Sequence, residues 1–117
     1  MVKEVDLNKQ VAYWINGFGR AYKRIATPGR AGEPDVSGCV FGIRVELEGK
    51  LPGNKPTPLQ FKKLEWWKQA GAITGWYTSL REAQQIVING LIQHAEGIDE
   101  ERKKIILKTC NRLKEKI

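Results

Sequence analysis

Pro34-Asp35 and, further along the chain, Glu48-Gly49-Lys50 place two carboxylates and an ammonium where a turn of the backbone could gather them. Brought together, such groups can hold a hard divalent cation and steady negative charge on a phosphoryl centre. Magnesium takes oxygen ligands in a near-octahedral shell and keeps several waters, so one or two carboxylates, a backbone carbonyl and a substrate phosphate suffice to hold it. Lys50 would orient or activate an attacking water and offset charge developing on phosphorus. Gly49 removes a side chain between Glu48 and Lys50, which would let a phosphate approach the backbone. The chemistry outlined is phosphodiester cleavage. The same charges also suit a plain solvated strand face, and a Pro-Asp pair also opens turns.

For the acids to meet, the intervening chain has to fold back on itself. Two strands, 35–41 and 43–49, with a turn at Phe41-Gly42, do this. Alternation sends Ile43, Val45 and Leu47 to a core side and Arg44, Glu46, Glu48 and Lys50 to the other. A two-residue turn sets Val40 opposite Ile43 and, stepping outward, Asp35 opposite Glu48. A turn one residue longer moves the partner to Gly49 and still leaves the acids as near neighbours. Opposed Cβ atoms lie ~5 Å apart, where like charges repel unless something positive sits between them. A divalent cation would serve.

The remaining elements frame that hairpin. Residues 6–16, DLNKQVAYWIN, suit a helix with Asp6 as N-cap and Leu7, Val11, Trp14 and Ile15 on one side, ended by Gly17 and Gly19. RAYKRIA, 20–26, reads as a strand, and TPGRAGEP as a loop. After the loop LPGNKPTP, Thr57 and Pro58 match the N-cap and first position of a helix over 58–70 that Gly71 stops. AITGWYT, 72–78, is a fourth strand, Ser79 caps the next helix, and Asp99 begins a last one with an acidic first turn and a basic last turn. Trp66 and Trp67 cannot share a helix face, so one packs on the sheet beside Leu59 and Leu64 and the other is partly exposed. Ile98, Ile105, Ile106, Cys110 and Leu113 form an apolar stripe on the last helix, to be covered by its own domain or by a symmetry mate. The order α, β, β, β, α, β, α, α implies an α/β chain of the α+β kind, a mixed sheet of about four strands flanked by helices. Residues 1–97 would form the domain and 98–117 the added helix.

Composition bounds the rest. The 117 residues, 41% apolar and 28% charged, suit one globular domain rather than a disordered chain. A net charge of +7 favours a polyanionic partner. The bases Arg20, Lys23, Arg24, Arg30, Lys55, Lys62 and Lys63 surround the acids and are candidate phosphate contacts. Cys39 and Cys110 have no C-x-x-C spacing and the chain has one histidine, His94, so cysteine–histidine zinc is not indicated. Both cysteines read as buried small hydrophobes, and His94 as a surface or helix-end residue. No apolar run is long enough to span a bilayer, and the start of the chain lacks an apolar secretory segment. The expected location is cytoplasmic.

The stretches GEPDVSGC, VELEGK, PGNKPTPLQ and AGAITGWYTSLREA resemble, in this order, the virus-type replication-repair nuclease (VRR-NUC) domain, a branch of the PD-(D/E)xK nucleases. That family has a G-x-PD turn, here Gly32 to Asp35; a strand ending in E-x-K, here Glu48-Gly49-Lys50; a K-x-[ST]-x-x-Q helix start, here Lys55 to Gln60; and a last strand followed by a helix, here from Ala70. The resemblance spans about residues 20–87 and implies a restriction-endonuclease-like core of order αβββαβα. It implies Asp35, Glu48 and the Gly49 carbonyl as ligands to Mg2+ or Mn2+, Lys50 as the catalytic lysine, and Gln60 as a supporting residue or an anchor of its helix. Members often carry a further acid on the first helix, three positions before an apolar residue; here that position is Asn8, and Glu4, Asp6 or Gln10 are possible substitutes. Gly49 stands where the family commonly has a β-branched or aliphatic residue, which would loosen the strand end under Lys50. Glu46 would tune the site or be a solvated charge.

The resemblance thus implies a metal-dependent endonuclease acting on branched DNA, a Holliday junction or a flap, in phage or mobile-element replication or repair. Single-domain relatives are typically homodimers, and a phage-encoded member would work in the bacterial host cytoplasm. Two other expectations stand beside it. One is a catalytically weak or inactive DNA-binding module that retains the nuclease fold, and the other is a basic scaffold that binds proteins through its last helix.

Overall fold

The computed structural model describes residues 3–25 and 28–117, without the side chains of Glu4 and Val5. Its elements are α1 (Glu4–Ile15), β1 (Arg20–Lys23), β2 (Val36–Val40), β3 (Ile43–Gly49), α2 (Pro58–Gln69), β4 (Ile73–Tyr77), α3 (Leu80–Ala95) and α4 (Glu100–Lys114). The sheet runs β1-β2-β3-β4, antiparallel across the first two pairs and parallel between β3 and β4. A parallel pair needs a crossover, and α2 supplies it.

The hairpin forms as its sequence dictates. Phe41 and Gly42 have φ of 52° and 80°, the paired positive values of a type I′ turn, whose twist matches that of the strands it joins. Val40 therefore faces Ile43, and Val36 faces Leu47. A guanidinium N–H of Arg102, on α4, donates to the Phe41 carbonyl and ties this turn to the last helix.

Leu7, Val11 and Ile15 of α1 join Val45 and Leu47 of β3 and Val87 and Leu91 of α3 in a single core on one side of the sheet. The α4 residues Ile106, Cys110 and Leu113 enter the same core, so this stripe is covered by its own chain. Ile105, expected in the stripe, is instead 54% exposed, because it sits next to Ile106 on the helix and points away. His94 has its ring nitrogens 2.9 Å from the Gly90 carbonyl and 3.0 Å from that of Gly71, joining the end of α3 to the end of α2.

The other side of the sheet is covered too, by α2. Trp67 lies against it, with the Arg44 guanidinium 4.8 Å from the ring centroid, while Trp66 is 51% exposed. Leu64 is buried as expected, but Leu59, in the first turn of α2, is 43% exposed. Burial on both faces explains why Glu46 and Glu48 are at 0% and 1% exposure rather than on a solvated face.

Other expectations are corrected. Helix α1 begins at Glu4 with Lys3 as N-cap, because the Asp6 and Leu7 N–H groups already bond the Lys3 carbonyl; Asp6 is an exposed first-turn residue. Strand β1 stops at Lys23, short of Arg24 and Ile25, and Ala26 lies outside the described residues. Cys110 is buried but Cys39, next to the turn, is exposed. Among the described residues no helix is long and apolar enough to cross a membrane.

Candidate active site

Continuing the hairpin register one step past Val36–Leu47 puts Asp35 opposite Glu48. The two are clasped reciprocally. The Asp35 N–H donates to Glu48 Oε1 at 3.1 Å, and the Gly49 N–H donates to Asp35 Oδ2 at 3.1 Å. Glu48 Oε2 is the one buried side-chain nitrogen or oxygen among the described residues with no hydrogen-bond partner. Burial, then the hydrogen bonding and negative charge of Asp35, push the Glu48 carboxyl up to about 9 against an opposing pull from Lys50. A buried carboxyl beside a like charge is costly to ionise, so without a cation Glu48 keeps its proton at neutral pH. These oxygens fit a hard divalent cation, which would replace that proton and satisfy Oε2.

Asn8 explains Gly49. A Cβ on Gly49 would come within 2.0 Å of Asn8 Oδ1 and 3.1 Å of the Tyr77 ring. Asn8 is 4% exposed, and its Oδ1 accepts from the Tyr77 hydroxyl at 2.5 Å. The space beside Gly49 is therefore filled by an amide and not open to a phosphate. Nor is the strand end loose: Gly49 is held through its N–H by Asp35, and the Lys50 N–H donates to the Tyr77 carbonyl at 2.9 Å. Lys50 itself is half-buried, following Glu48 on the same side of the strand.

Glu46 is an anchor of the fold and not a solvated charge. It accepts from Arg24 at 2.5 Å, Arg44 at 2.7 Å and Ser37 at 2.6 Å. Arg24 also donates to the Pro34 carbonyl at 2.9 Å, so its guanidinium is taken up in holding the Pro34-Asp35 turn onto the sheet. Glu33, in that same turn, accepts from Trp67 Nε1 at 3.1 Å and from Lys63 at 3.3 Å. Its burial pushes its carboxyl up, but Trp67, Lys63 and Arg24 together outweigh this and hold it below the usual carboxylate range. Arg24 and Lys63, both expected on phosphates, are thus engaged inside the protein.

A cleft of about 1220 Å3 opens beside Asp35, walled by Asn8, Glu33, Gln60, Lys23 and Arg30 among others. Lys23 faces Val36, next to Asp35, whereas Arg20 faces Cys39 at the far end of the same strand pair. Lys55 is exposed before α2, and Lys62 is exposed with its ammonium 5.2 Å from the Trp66 ring centroid. Gln60 anchors the start of its helix. Its Oε1 accepts from the Thr57 N–H at 2.9 Å while Thr57 Oγ1 accepts from the Gln60 N–H at 3.2 Å, a full capping box, and it also lines the cleft. Gln10 does not reach this site; it lines a separate apolar groove with Tyr13, Trp14 and Leu80. The Glu4 side chain lies outside the described residues. Among the described residues of α1, Asn8 lines the cleft, and its signal was its place one turn before Val11. Tyr77, its partner, carried no such signal.

No protein-family model and no curated protein matches this chain. Among solved structures it is similar to one titled "VRR_NUC domain", with 23% sequence identity and a TM-score of 0.62 over 74% of this chain and 96% of that one. The chain therefore has the fold of that VRR_NUC domain, a mixed sheet flanked by helices, as the ordered motifs led one to expect. Fold leaves chemistry to be argued from the site.

Proposed function

We propose that this protein is a magnesium- or manganese-dependent deoxyribonuclease that hydrolyses phosphodiester bonds in branched DNA. The observation that carries this reading is the clasped Asp35–Glu48 pair, with an unsatisfied buried Glu48 oxygen, in a molecule of net charge +7. Asp35, Glu48 and the Gly49 carbonyl would hold the cation, which supplies Lewis-acid activation of water and of the phosphoryl group when bound. Lys50 stands two residues after Glu48, just past the end of β3, and its charge is felt at that carboxyl. Its ammonium orients the attacking water and offsets charge building on phosphorus. Lys23 and Arg30 in the cleft wall, with Lys55 beyond it, neutralise backbone phosphates. Glu46, Arg24 and Glu33 position the Pro34-Asp35 turn.

Branched DNA suits a homodimer, because two-fold symmetry gives each strand its own site. The cellular role that follows is phage or mobile-element replication or repair in a bacterial cytoplasm. The test is to offer labelled four-way junctions, flaps and linear duplex with Mg2+ or Mn2+. Wild type should cut the branched substrates, and Lys50→Ala should be slower by roughly 100-fold or more. No cleavage by wild type, or equal cleavage by Lys50→Ala, would refute the proposal.

One observation favours a second reading, a DNA-binding module with weak or no catalysis. Asn8 puts a neutral amide on the first helix where an acid would add a third carboxylate, and among the described residues no group of three metal-ligating side chains is formed. Such a module would bind DNA with the salt dependence of phosphate contacts but would not cleave it.

A further inference from the structure

Trp76 is exposed next to the acids. In the parallel register it faces Glu48 on β3, and side chains in register on adjacent strands share a face. Asp35, Glu48 and Trp76 therefore form one row across the sheet, with strands about 4.8 Å apart. Trp76 is 37% exposed on the edge strand β4, so part of its indole surface is open to solvent. Phe61, 43% exposed in the first turn of α2, meets it edge-on, with ring centroids 6.4 Å apart and planes at 90°. That contact braces the indole and fixes its orientation beside the carboxylates.

A rigid ring next to a phosphate-directed site, in a basic protein, has the makings of a stacking platform for single-stranded nucleic acid. Every base has a π-face, whereas a paired base inside a helix presents none to the side. We infer that Trp76, braced by Phe61, stacks an unpaired nucleobase adjoining the phosphate held at Asp35 and Glu48, so that the site selects DNA with an unpaired nucleotide at the scissile position. This rests on the nuclease reading for the position of the phosphate, but its test needs no cleavage.

The test is binding with Ca2+ in place of Mg2+ or Mn2+, by fluorescence anisotropy, of a single strand and of a fully paired duplex of the same sequence. A 2-aminopurine in the single strand reports stacking by quenching. Trp76→Ala should weaken the single strand roughly tenfold, about 1.4 kcal/mol and within the range for one base–aromatic stack, while changing duplex affinity less than about twofold. It should also abolish the 2-aminopurine quench. Trp76→Phe, which keeps a ring, should retain most of both signals. Should Trp76→Ala unfold, Trp76→Leu keeps apolar bulk without a ring face and should give the same loss. Equal weakening of both DNAs, no weakening, or an unchanged quench would overturn the inference. A protein that stacks in this way yet never cleaves would defeat the nuclease reading alone, and one that cleaves without stacking would defeat the platform alone.

Discussion

Replacing Glu48 with glutamine should make the metal-free protein more stable above neutral pH. Burial, with the adjacent Asp35 carboxylate, pushes the Glu48 carboxyl from an ordinary 4.5 to about 9 in the folded state. The unfolded chain gives up this proton as pH passes 4.5, while the folded chain keeps it until about 9. The contribution of Glu48 to stability is thus full below pH 4.5 and is lost progressively as pH rises towards 9. At about 1.4 kcal/mol per pH unit, the loss by pH 7 reaches about 3 kcal/mol as an upper figure. Glutamine has the shape of the protonated acid, can still accept from the Asp35 N–H, and cannot ionise. Thermal unfolding followed by circular dichroism in EDTA, at about pH 5, 7 and 9, reads the difference at roughly 4 °C per kcal/mol. The two proteins should nearly coincide at the lowest pH, with Glu48→Gln ahead by up to about 12 °C at pH 7 and by more at pH 9. Adding Mn2+ should reverse the order, because only wild type offers both carboxylates to the cation. Parallel pH profiles, or a variant less stable at every pH, would refute the reasoning about this carboxyl.

Gly49→Ala should cost about 2 to 4 kcal/mol in urea unfolding, since its Cβ would collide with Asn8 Oδ1, and Asn8→Ala in the same chain should recover at least about 1 kcal/mol of that. Strictly additive effects would contradict the close contact. Arg24→Ala should destabilise by about 3 kcal/mol, because it strips a partner from the fully buried Glu46, and Glu46→Gln should restore part of the loss. In DNA binding, Lys23→Ala or Arg30→Ala should each lower the slope of affinity against salt by about 1, while Arg24→Ala leaves it unchanged if its guanidinium is engaged inside the protein.

The hairpin was legible because two local rules agree on it. Alternation of Ile43, Val45 and Leu47 with charged residues sets the faces, and Phe41-Gly42 sets the register that brings Asp35 to Glu48. Capping of α2 by Thr57 and Gln60 was readable for the same reason, since both partners lie within four residues. What depended on contacts distant in sequence was not readable. Nothing in the alternation of β3 tells that α2 will cover its charged face, so Glu46 looked solvated although it is fully buried among Arg24, Arg44 and Ser37. Asn8 and Gly49 looked like two separate departures from the family pattern and are one close contact, visible only when α1 is laid on β3. Trp76 could be assigned to a strand, but its place beside Glu48 follows from a parallel register that a crossover of many residues leaves open.

Calorimetric titration with Mn2+ tests most directly whether Asp35 and Glu48 form one cation site. Wild type should show a saturable heat that varies with buffer ionisation enthalpy, because the Glu48 proton is released on binding, and that heat should vanish in Asp35→Asn. Identical isotherms for the two proteins, or no heat from wild type, would contradict it.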